Sequence, residues 1–454
     1  MNLFAQQIKF EDTEGLEYPE GQLITEGDEG ESVAAAVAEV TEEEAGIAED
    51  ERAMDGLVED EETLSDVQEV VEDDAPKMEH TGLTPVGARL AKIVLTRVVG
   101  KRHANKTLPK MEHFNSRSDA RDATSFVQEG VADALKSFWE ALKAQFKKIW
   151  AKIKTWYIKT FSAAKRLSDR AKTIRDRAES STSTIDKKSF AFAQAKQLVV
   201  GGRLKDVGDF ERALNNLSTL VEAVTDVPTD AVIEKLSDDL DKLSKDEGVE
   251  QIIEKINGGF VTLSKLSKGD VKDPKVLASL GADEKGDTAI SASDVLPGDK
   301  QFVYVTLASA SNDQAKFLRM TKFTFVNTKD KPRELGSDTE VTTLNASQIA
   351  KFADIIAASA ESIAEAEAKW QKTDRAQDTY LRKIDEIIRD REQDVKDDEN
   401  STGADERAVR QLASGATQFV RRVGGVIAQV TGFAMPVYAA TLNWCEGSMR
   451  NYKK

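Results

Sequence analysis

The sequence predicts a mainly α fold: an elongated multi-helix protein with one small antiparallel β-hairpin at about 301–326 and a disordered acidic leader. Three observations carry that expectation. Two long stretches, 131–159 and 345–395, repeat apolar residues at steps of three and four, the spacing that lines one helix face. Charged residues make up 31% of the chain and proline only 9 positions, which suits long solvated helices better than a sandwich or barrel. Only Gln301–Leu307 and Met320–Val326 alternate β-branched and aromatic residues as strands do.

Residues 1–75 carry 26 acidic side chains against Lys9 and Arg52, a net of −24. Runs such as Glu42–Glu44 and Glu72–Asp74 repel one another, and the segment has little apolar area to offset its ordering entropy. Residues 1–80 are therefore expected to be a disordered leader when alone.

The sign then reverses: residues 82–180 hold 22 basic and 9 acidic side chains, a net of +13. Residues 81–129 read as a basic connector, with a short amphipathic helix at 86–99 and a basic run at Lys101, Arg102, Lys106 and Lys110. Ser125 and Gln128 match a capping box, which opens a long amphipathic helix over 130–183. Val131, Leu135, Phe138, Leu142, Phe146, Ile149, Ile153 and Trp156 share its apolar face, lysines crowd the rest, and Trp139, Trp150 and Trp156 fall within 18 residues.

Residues 184–300 read as helices of ordinary length and a loop, with breaks near Gly201-Gly202, Val227-Pro228 and Gly258-Gly259, and loop from 269. The 301–330 hairpin must pack on helices, because an isolated hairpin is marginal. Asn345 opens a second long, coiled-coil-like helix to about 397, with near-heptad Ile349, Phe352, Ile356, Ile363, Trp370, Tyr380 and Ile384. The region 405–454 is helical again. Within it, 423–445 has no charge and is long enough to span a membrane, but Gly424, Gly425, Gly432 and Pro436 favour a buried helical hairpin.

Composition excludes much chemistry. The single cysteine, Cys445, allows no disulfide within the chain and no four-cysteine metal site, and fits a reducing cytosol. The histidines are His80, His103 and His113, so His-based triads and zinc sites are missing from residue 114 onward. No phosphate-binding glycine loop or calcium loop is present, and residues 1–10 lack the pattern of a secretory signal. No catalytic, cofactor-binding or metal residue is expected, no cofactor is implied, and the chain does not read as an enzyme.

The lysine-rich helix admits three readings. Its lysines can be the wet face of a core helix. They can bind nucleic acid or an acidic surface non-specifically, through Lys143, Lys147, Lys148, Lys152 and Lys154. Or the helix can lie at a membrane interface, with Trp and Phe on one side and Lys on the other. The attached acidic leader would lower the effective charge of the basic region until it is moved or removed.

The order of features carries a resemblance. Leu108–Phe114 (LPKMEHF), Ser116–Thr124 (SRSDARDAT) and Phe126–Gly130 (FVQEG) precede the helix FWEALKAQFKKIWAKIKTWYIKTF and its continuation AAKRLSDRAKTIRDRAE. Tyr438–Trp444 (YAATLNW) and Met449–Lys454 close the chain. From about Leu108 to the end, the whole resembles the internal head proteins of large tailed bacteriophages.

The resemblance implies a structural virion protein inside the capsid, made in the bacterial host cytoplasm and packaged in the prohead core with DNA beside other capsid and prohead core proteins. It also implies trimming by the prohead protease after a Glu that follows, two residues on, an apolar or small residue. Val127-Gln128-Glu129-Gly130 fits, with a cut between Glu129 and Gly130; Glu49, Glu59, Glu69 and Glu222 end similar triplets. Such a cut would remove 12 basic and 31 acidic residues and leave a body of net +2. The alternative is a membrane-active or host-directed effector delivered by the virion, working through the Lys/Trp helix.

Overall fold

The computed structural model describes residues 28–73, 117–200, 207–243, 271–280, 288–307, 314–329, 335–336, 339–397 and 403–453. In chain order these form α1 (Asp28–Asp73), α2 (Arg117–Glu179), β1 (Ser189–Ala191), α3 (Val207–Asp226) and α4 (Thr229–Leu243). There follow α5 (Pro274–Ser279), β2 (Thr288–Ala292), β3 (Lys300–Leu307), α6 (Gln314–Met320), β4 (Lys322–Asn327) and β5 (Glu340–Thr342). The chain ends with α7 (Ala346–Glu365), α8 (Glu367–Asp397) and α9 (Gly403–Arg450). The 86–99 helix, the 101–110 basic run and the breaks at Gly201-Gly202 and Gly258-Gly259 lie outside the described residues.

The core is organised on α9, which is apolar almost all round and therefore has to be covered on every side. Phe419, Val420, Val423, Val426, Val430, Met435, Tyr438 and Leu442 are all buried. Around it pack α1, α2, α3, α7 and α8, with α6 and β4 on a further side. Two buried hydroxyl pairs join it to its neighbours: the Tyr438 hydroxyl meets Ser359 at 2.6 Å, and Tyr380 meets Thr417 at 2.9 Å. The helix is long and apolar enough to cross a membrane by length and composition, yet 83% of its most apolar window is buried inside the fold.

The expected hairpin is present, with Phe302 opposite Phe325 and Tyr304 opposite Phe323. Its stacked rings (Phe302 on Phe323 at 6.2 Å, Phe325 on Phe433 at 4.3 Å) dock the sheet on α9. Three features differ. β2, inside the stretch expected to be loop, adds a third strand on the far side of β3, and β1 pairs with β5. The connection between β3 and β4 includes the short helix α6.

Four expectations are corrected. Residues 28–73 of the acidic leader are a 46-residue helix, because α1 borrows a core from α2 and α9 that it could not build alone. The helix α2 begins at Arg117, so Ser125 lies inside it and is not its cap. The stretch 345–397 is two helices meeting at Ala366: α7 leans on α2 and α3, whereas α8 leans on α4 and α9. Its start is as expected, with Asn345 and Gln348 forming a reciprocal capping box. Finally, 423–445 is no hairpin but part of one helix through Pro436. Gly424 does not break it; a Cβ there would sit 2.1 Å from the Gln377 amide nitrogen, so the glycine admits a close neighbour from α8.

Candidate functional site

The groove between α2 and α9, filled lengthwise by α1, concentrates the molecule's charged chemistry. Along α1, Val33, Val40, Ile47 and Met54 recur every seven residues, with Val37 and Val58 at the complementary heptad positions, and all six are buried. The two remaining complementary positions are acidic: Glu44 and Glu51.

Those acids meet glycines with the same seven-residue spacing on α9. A Cβ on Gly432 would lie 2.2 Å from Glu44 Oε2, and one on Gly425 would lie 3.8 Å from Glu51 Oε1. With no side chain at Gly432, the Glu44 carboxylate packs directly against the α9 backbone. Burial, with the Glu51 charge adding to it, pushes the Glu44 carboxyl up to about 8.

One rim of the groove is α2. Lys148 and Lys152 both clasp Asp50, at 2.7 and 2.6 Å, and Lys159 reaches Glu43 at 2.8 Å. The Trp156 indole N–H donates to the Val40 carbonyl at 3.0 Å, and Gln145 donates to the Asp50 carbonyl at 3.0 Å. Burial alone would raise Asp50, but the hydrogen bonds from Lys148 and Lys152 outweigh it and hold the carboxyl below its ordinary range. The Glu43 hydrogen bond raises Lys159. The pairings run 40 to 156, 46 to 152 and 50 to 148, so the two helices are antiparallel.

The other rim is α9. Arg421, with only 4% of its side chain exposed, pairs with Glu51 at 3.0 Å and Asp55 at 3.1 Å. Arg422 reaches Asp55 at 3.5 Å and donates to the carbonyls of Thr321 (3.0 Å) and Arg319. Burial and the Arg421 charge bring Arg422 down to about 10, and burial with the Arg422 charge lowers Lys322. A buried guanidinium without its carboxylate would be costly, so α1 is an electrostatic requirement of this face as well as an apolar one.

The opposite flank of α2 is closed by α8. Lys143 pairs with Asp385 at 3.0 Å and Glu140 at 2.8 Å, and its ammonium stands 5.7 Å above the Trp139 ring. Lys154 pairs with Asp374 at 2.8 Å, which also accepts the Trp150 indole N–H at 2.7 Å. Trp139 donates to Asp385 at 3.3 Å. Lys147 lines an open surface groove with Asp378, Arg382, Asp385, Glu386 and Arg389.

The five lysines singled out in the sequence thus divide between two other helices of the same chain. Lys148 and Lys152 face α1, while Lys143 and Lys154 face α8. Glu129 and Gly130 lie within the helical backbone of α2, twelve residues from its start. Sequence reasoning missed Arg421, Arg422, Glu44, Glu51 and Asp55; the legible signal was the seven-residue repeat beneath the acidic composition. Among the described residues, no group of three or more His, Cys, Asp or Glu is placed to hold a metal ion. Cys445 is buried, and burial raises its thiol well above the ordinary range.

A family model of phiKZ-like phage internal head proteins matches residues 33–447, from the first buried valine of α1 to the last turn of α9. No curated protein and no solved structure matches the chain.

Proposed function

Because the chain belongs to the phiKZ-like phage internal head proteins, a structural family of the capsid interior, we propose that it enters the prohead with DNA as an acidic precursor and is trimmed there by the prohead protease between Glu129 and Gly130. The observation that carries this reading is the pairing of α1 with α2. Three lysines of the basic helix, Lys148, Lys152 and Lys159, are paired with carboxylates that lie on the amino-terminal side of the cut, Asp50 and Glu43. Cutting would sever that mask from the face it covers and change the balance of the body to net +2.

Proteases take extended backbone, so the cut requires the first turns of α2 to unwind, as helix ends do most readily. The DNA contact proposed for Lys143, Lys147, Lys148, Lys152 and Lys154 is then non-specific, and loss of α1 frees Lys148 and Lys152 for it. A membrane-active or host-directed effector would need the tryptophan face outward. Trp139, Trp150 and Trp156 are instead buried, each with its indole N–H engaged inside the fold.

Mass spectrometry of mature particles, searched for semi-specific amino-terminal peptides, tests the reading. A peptide beginning Gly130-Val131-Ala132 is expected. A start after Glu59 or Glu69 would keep trimming and move its place, whereas abundant peptides from 28–58 in mature particles would end the proposal.

A further inference from the structure

The helix α1 is attached to the rest of the molecule in an unusual way for a piece of a core. It is antiparallel to α2, so its carboxyl end and the start of α2 point to the same end of the groove. Antiparallel neighbours are ordinarily joined by about 2–8 residues. Here the connection is residues 74–116, 43 in all. Fully extended, a chain of that length spans up to about 140 Å, twice the roughly 70 Å length of a helix the size of α1. Forty-three residues are far more than closing the helix on its own groove demands.

The groove itself recognises α1 by features that any copy of α1 carries. Carboxylates on both edges meet Lys148, Lys152 and Lys159 on one rim and Arg421 and Arg422 on the other. Glu44 seats over Gly432, where a side chain on α9 would collide with it. Nothing in this set distinguishes the chain's own helix from a neighbour's. A swapped arrangement repeats every contact, so only concentration decides between them. A covalent connection supplies an effective concentration on the order of mM at most, falling as the number of residues in it grows, and chains packed together inside a capsid compete on that scale.

We propose that inside the assembling head α1 of one copy occupies the α2–α9 groove of another, so that uncut chains are linked through exchanged acidic helices. The partner is a second copy of this chain. Trimming is not needed for the exchange, so this inference stands or falls separately from the proposed cut.

The test uses uncut full-length chains carrying one added cysteine each: Gly46→Cys on α1 in one, Lys152→Cys on α2 in the other. A Cβ at position 46 would lie 3.6 Å from the Lys152 ammonium, within reach of a short bis-maleimide. Cys445 is buried and does not compete. Glu43→Cys with Lys159→Cys is a second, solvent-edge pair. The two singly substituted chains are mixed at rising concentration and cross-linked, with Ile158→Cys, which is 69% exposed, as the off-groove control. Mixed covalent dimers should grow at least several-fold with concentration for both groove pairs and not for the control. If the doubly substituted chain cross-links within itself while neither mixed pair yields dimer at the highest concentration, exchange does not occur. Dimer yields equal to those of the Ile158→Cys control would reduce it to random collision and overturn it equally.

Discussion

Glu44 and Asp50 sit six residues apart on the same helix and titrate in opposite senses, which gives the docking of α1 a pH window. Asp50 is held below its ordinary 3.8 by the two lysines, so its contribution is present above that value and is lost as pH falls through its folded value. Glu44 is raised from 4.5 to about 8, so the docked state keeps a proton that the undocked state has already released. Its neutral form favours docking, and that advantage fades as pH rises from about 4.5 to about 8, by at most about 1.4 kcal/mol per pH unit. Glu44→Gln should therefore leave the thermal midpoint near that of the parent at pH 5 and raise it at pH 8.5; an equal difference at both values would show that Glu44 is not the titrating group. Gly415 makes a different residue-level demand. A Cβ there would lie 2.8 Å from the Ala315 carbonyl oxygen, and backbone cannot step aside as the Glu44 side chain can. Gly415→Ala should destabilise the contact of α6 with α9 by about 1–3 kcal/mol, measured by denaturant unfolding, despite the better helix propensity of alanine.

At the scale of elements, α1 is the piece most dependent on its neighbours. It has a buried stripe but no second layer of its own, so breaking the stripe should free the helix without melting the rest. Met54 has no exposed surface, and Met54→Asp would bury an unpaired carboxylate at a cost of several kcal/mol or undock the helix. Amide exchange should then show α1 unprotected and α7, α8 and α9 unchanged; simultaneous loss everywhere would mean that α1 is integral to the core and not a strap upon it. The same dependence explains what could be read from the sequence. The apolar face of α2, the β3–β4 pair and the Asn345 cap were legible because each is decided by residues close together in the chain. The helix α1 was not, since its acidic composition points to disorder unless Gly425, Gly432 and Arg421, more than 350 residues away, are known to await Glu44 and Glu51. The unbroken α9 was hidden for a related reason: each internal glycine costs a helix about 1 kcal/mol on its own, and the close packing of Gln377 that repays it is invisible locally. The lysines of α2 were correctly placed on one helix, but their partners on α1 and α8 could not be assigned from pattern alone.

For the whole molecule the decisive quantity is how many cations face solvent before and after the proposed removal of the amino-terminal segment. While α1 is seated, Lys148, Lys152 and Lys159 have carboxylate partners, and so do Arg421 and Arg422. Phosphates of duplex DNA would have to displace those carboxylates, so the uncut chain should bind weakly and with little salt dependence. A specific protease site placed between Glu129 and Gly130, cut after folding and followed by removal of 1–129 at high salt, should expose all five cations on one face. Each phosphate then met adds about 0.9 to the slope of log affinity against log salt. The freed body should thus show a slope steeper by up to about 4.5 than the uncut chain, with no preference among sequences. Replacing Lys143, Lys147, Lys148, Lys152 and Lys154 together with Gln should return the slope toward that of the uncut chain, because Lys148 and Lys152 are two of the five exposed groups. Equal slopes for cut and uncut chains would show that α1 does not mask the basic face, and a preferred sequence would require base contacts that nothing on this lysine and arginine rim is arranged to make.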